Sequence, residues 1–177
     1  ILFGGNPFFW RLQHNVIHHT YTNVPSQDED IDAGVLMRFT NAEKHRWFHR
    51  FQHLYFPFLY SLMTFSWLFY KDFDQLKRYN KSGLIKAHRS SFLGQLASTI
   101  LIKLFYLFYM FVLPVLIADL VWWHWTLSFV LIHFTAGLIL ALVFQSAHVV
   151  SESEFPEATE NGEMENEWMI HQLKTTS

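Results

Sequence analysis

Apolar residues run along this chain in three long stretches separated by polar segments. The first, residues 51–70, contains His53 and Pro57 but no Asp, Glu, Lys or Arg. The second, about 92–118, has Lys103 as its only full charge. The third starts at Leu120 and meets no formal charge until Glu152. A helix needs about 20 apolar residues to cross the hydrocarbon of a bilayer. The second and third stretches meet that length and are parted only by the Asp119 region. They predict a transmembrane hairpin of two helices, about 92–118 and 120–146, in an all-α integral membrane protein. The alternative is a buried soluble core, which needs an unusually large partner to cover both segments.

Loop charges set the orientation. Arg38, Lys44, Arg46 and Arg50 precede the first stretch. Lys71, Lys77, Arg78, Lys81, Lys86 and Arg89 follow it. Both basic segments are expected in the cytosol and Asp119 outside. Residues 51–70 then begin and end on one side of the membrane. They are expected to lie in the interface or to dip in and return, with Pro57, Ser61, Thr64 and Ser66 easing that path. Lys103 is expected to snorkel back to the cytosolic surface. The last helix, starting near Trp122, crosses about 20 residues at roughly 1.5 Å each, which brings His148 about one turn above the cytosolic boundary. Gly137, Ala141, Phe144 and His148 share a face, and that face is expected to point into protein.

Composition sharpens this. Hydrophobic residues make up 51% of the 177 residues and charged residues only 16%, against about a quarter in a soluble domain. So much apolar surface excludes disorder for most of the chain. A net charge of −2 offers no basic field to nucleic acid. The absence of cysteine excludes disulfides, thiolate metal sites and cysteine catalysis. Eleven histidines remain as the main metal donors.

The densest chemistry is Gln13-His14-Asn15-Val16-Ile17-His18-His19-Thr20-Tyr21-Thr22-Asn23. On an α-helix His14 and His18 lie one turn apart on one face, and His19 is rotated by about 100°. Such a triplet holds one metal with two side chains and presents the third to a neighbouring metal. Imidazole suits iron, zinc, copper and nickel, and the residues within the triplet suggest an all-nitrogen shell. The competing reading is three surface histidines near a membrane. His148 falls on the same cytosolic side, with Gln145 placed to orient it or to hold a bound water.

Other histidines carry plainer roles. His45, His49 and His53 run with basic residues into an amphipathic stretch and fit interfacial contact. His124 sits among Trp122, Trp123 and Trp125 at an aromatic belt. His133 lies roughly 22 Å below His148, too deep to share a site, and suits an interhelical hydrogen bond. His88 lies in a basic loop. The place of His171 relative to the site stays open. Asp28, Glu29, Asp30 and Asp32 lack the glycine pattern of a calcium loop and read as solvated loop, helix cap or support for the histidines. Seven Glu between Glu152 and Glu167 mark a solvated cytosolic segment.

The tract Trp10 to Asn23 resembles the second histidine box of the membrane fatty acid desaturase family, His-x3-His-His followed by Tyr-Thr-Asn. Asp28-Glu29-Asp30-Ile31 fits the same family. Phe144-Gln145-Ser146-Ala147-His148 resembles its extra histidine at the end of the last membrane helix. Trp168-Met169-Ile170-His171-Gln172-Leu173-Lys174-Thr175-Thr176 resembles the run before its third box. The likeness leans toward front-end, linoleoyl-CoA-type bacterial desaturases and covers essentially the whole chain. It implies a single desaturase domain over 1–177. Residues 1–50 would be the cytosolic second-box region, 51–91 an interfacial helix and basic loop, 92–147 the hairpin, and 148–177 a cytosolic segment leading to the third box.

The resemblance implies two non-haem irons, held here in part by His14, His18, His19 and His148. Gln145 and Asn15 would stand close by, and O2 would be co-substrate. The family's first box, His-x3-4-His, and third box, Gln/His-x2-His-His, are not within the chain. The expectation is therefore a fragment of a longer protein, unable alone to hold both irons or turn over. The implied reaction inserts a double bond into a membrane-associated fatty acyl chain. Electrons would come from cytochrome b5 or ferredoxin. Rival readings are a hydroxylase or acetylenase on the same iron site, a membrane haem protein with facing axial histidines, and a non-catalytic scaffold.

Overall fold

The computed structural model describes residues 2–25, 27–32, 34–118, 120–149, 153–159, 163–164 and 166–176, apart from the side chains of Leu2 and His148. Among them all regular structure is helical. Asp119, expected outside the membrane, lies outside the described residues. The chain divides into two compact units.

The first unit joins residues 1–10 to 61–139. Its helices are α3 (Met63–Ser66), α4 (Asp72–Lys81), α5 (Leu84–Ala87), α6 (Phe92–Leu107), α7 (Leu113–Ile117) and most of α8 (Trp122–His148). Ser91, in an extended conformation, starts α6 by accepting the Gly94 N–H on its hydroxyl. A wide π turn, Phe108–Val112, carries α6 into α7. Together they form one run, Phe92–Ile117, and among the described residues this run and Trp122–Ala147 are the two long and apolar enough to cross a membrane. Their large side chains are mostly turned outward, including Leu101, Leu104, Phe105, Leu131, Ile139 and Val143. A soluble core helix hides such residues.

What this unit buries is polar as well as apolar. Leu68, Tyr106 and Phe129 form its core, with Phe65 and Phe111 packed against them. His133 is fully buried among these rings. The Thr64 hydroxyl donates to the His133 carbonyl at 2.9 Å and so accepts from the ring Nδ1 at 3.0 Å. That fixes the proton on Nδ1, and the Tyr106 hydroxyl donates to Nε2 at 2.9 Å. His133 thus makes the interhelical bonds its depth suggested.

Lys103 does not snorkel. Its ammonium is buried and donates to Asp72 Oδ2 at 2.8 Å, to the Trp67 carbonyl at 2.8 Å and to the Gly4 carbonyl at 3.2 Å. Asp72 also accepts the Asn6 N–H at 3.0 Å. A carboxylate within reach satisfies the ammonium more fully than a stretch toward the surface, because the charge is neutralised where it stands. The approach needs Gly4: at φ 72° a Cβ there would meet Leu68 Cδ1 at 2.7 Å.

The second unit joins residues 11–60 to 140–177. It holds the end of α1 (Pro7–Arg11), the turn that follows it, α2 (Gln52–Ser61) up to Tyr60, the last turns of α8, and α9 (Trp168–Thr175). A 3-10 turn, Trp47–Phe51, leads into α2.

Candidate metal centre

The histidine segment is not an α-helix. After Arg11 the backbone widens into a π turn over Leu12–His18. The His19 N–H reaches the His14 carbonyl, five residues back, at 3.1 Å. The wider turn changes which side chains meet. α-Helical geometry would rotate His19 away, whereas here its ring lies 4.6 Å from His14 and 5.3 Å from His18, with His14 and His18 stacked at 5.4 Å. All three imidazoles converge. Single π turns of this kind recur at functional sites because they bring i, i+4 and i+5 onto one face.

A buried carboxylate stands behind them. Asn23 adopts φ 59°, a left-handed conformation that Asn tolerates, and turns the chain back. Its N–H donates to Asp28 Oδ2 at 2.9 Å, and the Asp30 N–H donates to Asp28 Oδ1 at 2.9 Å. The Asp28 side chain is fully buried and takes the His18 Nδ1 on both oxygens at 3.0 Å. This turns the His18 Nε2 edge away from the carboxylate, the arrangement by which ligating histidines are oriented. Burial pulls the His18 pKa down, but the hydrogen bond and charge of Asp28, with Asp30 behind it, outweigh that and raise it. For His14, burial and then the neighbouring His19 and His18 lower it, outweighing the pull of Asp30 and Asp28 and favouring the neutral imidazole that binds metal.

Asp30 completes the group. One donor atom each from His14, His18 and Asp30 lie within 4.8 Å of one another. Asp30 Oδ2 also lies 3.4 Å from His18 Nδ1, so a carboxylate oxygen stands among the imidazole nitrogens, with His19 alongside. Gln13 Nε2 donates to Asp30 Oδ1, and Gln145 Nε2 donates to the Asp30 carbonyl at 3.0 Å. The last turn of α8 is thereby tied to the cluster. Gln145 Oε1 is buried without a hydrogen-bond partner among the described residues. Gly137 and Ala141, on the face expected to point into protein, are buried, while Phe144 is 39% exposed. The backbone of His148 closes α8, but its side chain is outside the described residues. Asn15 is exposed.

The C-terminal helix clasps the same segment. Trp168 Nε1 donates to the His19 carbonyl at 2.8 Å, Gln172 pairs with Thr22, and Asn23 Nδ2 donates to the Thr175 carbonyl at 2.9 Å. His171 is buried on the inner face of α9, with both ring nitrogens lacking a hydrogen bond of ordinary geometry among the described residues. Burial lowers its pKa, against the pull of the Thr22 backbone and Asp28. His45, His49 and His53 are not among the residues that converge here; His49 is held by the Val35 carbonyl at 3.0 Å.

In the sequence alone the parts that Asp28, Asp30 and Gln13 play stay open. Their signal was two carboxylates ten and twelve residues beyond His18, but nothing local says which of four acidic residues turns inward.

The fatty acid desaturase family model matches residues 1–177. Over 98% of its length the chain is 32% identical to 48% of an sn-1 linoleoyl-lipid 6-desaturase of Synechocystis. It is 35% identical over 99% of its length to 36% of an acyl-lipid (8-3)-desaturase of Physcomitrium patens. It is 32% identical over 98% of its length to 38% of a Delta(5) fatty acid desaturase A of Dictyostelium discoideum. The chain thus spans half or less of the length of these relatives. No solved structure matches it.

Proposed function

The chain belongs to the fatty acid desaturase family, and from that premise we propose that it carries part of the metal centre of an oxygen-dependent acyl-lipid desaturase. The observation that carries this reading is the convergence of His14, His18 and Asp30 in front of the buried Asp28. The donors fit iron: imidazole nitrogen with carboxylate oxygen is a first shell that ferrous iron accepts. Gln145 Oε1, buried and without a hydrogen-bond partner among the described residues, adds a polar atom suited to a bound water. His14, His18 and Asp30 would hold one ion, His19 would face the second, and His148 would join them from the end of α8. Iron, when bound, supplies the oxidation of an unactivated C–H bond by O2, which side-chain acid–base chemistry does not reach.

This chain's residues then have definite tasks. Asp28 holds the His18 proton on Nδ1 so that Nε2 is the ligating atom. Gln13 and Gln145 fix Asp30. Trp168 and Gln172 fix the backbone at His19, so that the three rings keep their spacing. Phe92–Ile117 and α8 form a transmembrane hairpin, and the helix from Trp47 lies in the interface. Its apolar side chains Trp47, Phe51, Leu54 and Phe58 are all exposed in one stripe, as a lipid-facing surface requires. The basic segments put the metal centre on the cytosolic face. The substrate is a lipid-borne acyl chain, and the electron donor is a separate cytochrome b5- or ferredoxin-like protein or domain. A haem reading is disfavoured, because His133, the histidine inside the hairpin, has both ring nitrogens committed to Thr64 and Tyr106.

The test is fatty acid profiling of cells expressing the full-length gene. New double bonds should appear with the wild type and vanish with His18→Ala. Hydroxylated or acetylenic products would replace the desaturase reading by its relatives, and an unchanged profile in both would end it.

A further inference from the structure

We infer that His171 is a positioning residue for the metal centre: through one bound water it hydrogen-bonds the outer side of Asp28, and so ties α9 to the orientation of His18. This rests on the desaturase reading and adds a fourth partner to the carboxylate behind the ligating histidine.

α9 meets the histidine segment along one face. Trp168, His171, Gln172 and Thr175 stand at i, i+3, i+4 and i+7, the spacing of a single helical stripe. Three of them hold residues 19–23. Trp168 donates to the His19 carbonyl, Gln172 pairs with the Thr22 hydroxyl, and the Thr175 carbonyl accepts from Asn23 Nδ2. His171 is the fourth, with these contacts on both sides of it in sequence, and it is 2% exposed. The opposite face is open, with Met169 68% and Leu173 76% exposed. An imidazole therefore occupies an inward position that an aliphatic side chain would fill with no polar atom to satisfy.

That imidazole lacks partners. Neither ring nitrogen has a hydrogen bond of ordinary geometry among the described residues. A neutral imidazole carries one N–H and one lone pair, and burying both unpaired is unfavourable. The groups that act on the ring are the Thr22 backbone and Asp28. The Thr22 carbonyl suits the N–H, which leaves the lone pair for the Asp28 side.

Asp28 has room for one more bond. A carboxylate offers about four lone-pair sites. Described donors take three of them: His18 Nδ1, the Asn23 N–H and the Asp30 N–H. A lone pair on His171 and a lone pair on Asp28 do not bond each other, but a water with two O–H groups joins them. Buried waters of this kind make about three hydrogen bonds to polar groups that lack other partners. The contacts then run from His171 through the water to Asp28 and His18 Nδ1, with His18 Nε2 left for the metal. His171 is not among the converging donors, His14, His18 and Asp30, and the charged group that acts on it is Asp28. It works from behind. An O–H on Asp28 draws charge from the carboxylate and sets how strongly Asp28 pulls on the His18 proton, and hence how strongly Nε2 donates.

The experiment uses the full-length protein. Fe(II) affinity is measured by competitive chelator titration for the wild type, His171→Leu, His171→Gln, Asp28→Asn and the Asp28→Asn/His171→Leu double variant. Hydrogen exchange over residues 168–176 reads the docking of α9, and a high-resolution map of the wild type reads the water. His171→Leu should weaken Fe(II) binding about tenfold, the lower end of the effect of losing a group that supports a ligating histidine, with exchange over 168–176 unchanged. His171→Gln keeps a donor and an acceptor and should restore affinity to within about twofold, the scatter of independent effects. In the Asp28→Asn background, where the link is already cut, His171→Leu should add less than about twofold. A side chain that only packs predicts otherwise: His171→Leu would then be at least as stable as the wild type and bind iron equally well. That result, or an undiminished loss in the Asp28→Asn background, overturns the proposal. If His171→Leu undocks α9, the map decides. One water within hydrogen-bond distance of a His171 ring nitrogen and an Asp28 oxygen upholds the bridge, and a dry ring overturns it. A wild type that binds no iron would instead count against the metal centre, with the bridge still read from the map.

Discussion

Replacing Asp28 with Asn tests the link between the buried carboxylate and the metal centre. The carboxylate accepts from three donors, His18 Nδ1, the Asn23 N–H and the Asp30 N–H, with no exposed surface of its own. Asn offers one acceptor oxygen in the same volume, so its NH2 must face at least one of those donors. A buried unsatisfied donor costs about 1–3 kcal/mol, which sets the expected loss of stability. The effect on metal is separate. Removing the group that orients a ligating histidine weakens metal binding about 10–100-fold, or about 1.4–2.7 kcal/mol. The assay is competitive Fe(II) titration of the full-length protein against a chelator, with thermal unfolding of the same samples. Asp72→Asn is the control, since Asp72 is also buried but bonded to Lys103 and Asn6. It should lower stability and leave iron affinity within about twofold. Asp28→Asn protein that stays folded with unchanged iron affinity would refute the orienting role.

Three other outcomes follow. Lys103→Met should cost about 3–5 kcal/mol by leaving Asp72 buried and unpaired, and a double-mutant cycle with Asp72→Asn, read by denaturation in detergent, should show strong coupling. Tyr106→Phe should cost about 0.6–2 kcal/mol, the range for a hydrogen bond between helices in a membrane, and no loss of stability in thermal unfolding would contradict the Tyr106–His133 bond. Asn23→Ala removes the bond to Thr175 and strains the left-handed turn. It should speed amide hydrogen exchange across residues 168–176 and leave α6 unchanged; equal exchange in both proteins would mean that α9 docks by other contacts.

Much of the architecture was readable because apolar stretches of membrane length have few alternatives. Residues 92–118 and 120–146 match the observed runs Phe92–Ile117 and Trp122–Ala147 closely. His-x3-His-His was readable as a donor cluster because its chemistry is local. Its geometry was not. Whether a turn is α or π depends on hydrogen bonds one residue longer, and no residue type in Leu12–His18 marks that choice. The inward turn of Asp28 depends on the left-handed conformation at Asn23, and the burial of Lys103 on a carboxylate 31 residues earlier in sequence. Partnerships of that kind are decided by tertiary packing, so reading Lys103 alone gave the wrong destination.

The most direct test is iron content and X-ray absorption of the full-length protein, wild type and histidine variants compared. The wild type should show iron in a shell of imidazole nitrogen with added oxygen. His14→Ala and His18→Ala should lose most of it, and His45→Ala and His53→Ala should keep it. Iron retained in full by His18→Ala, or lost equally from His53→Ala, would contradict the assignment of the metal centre to the π turn.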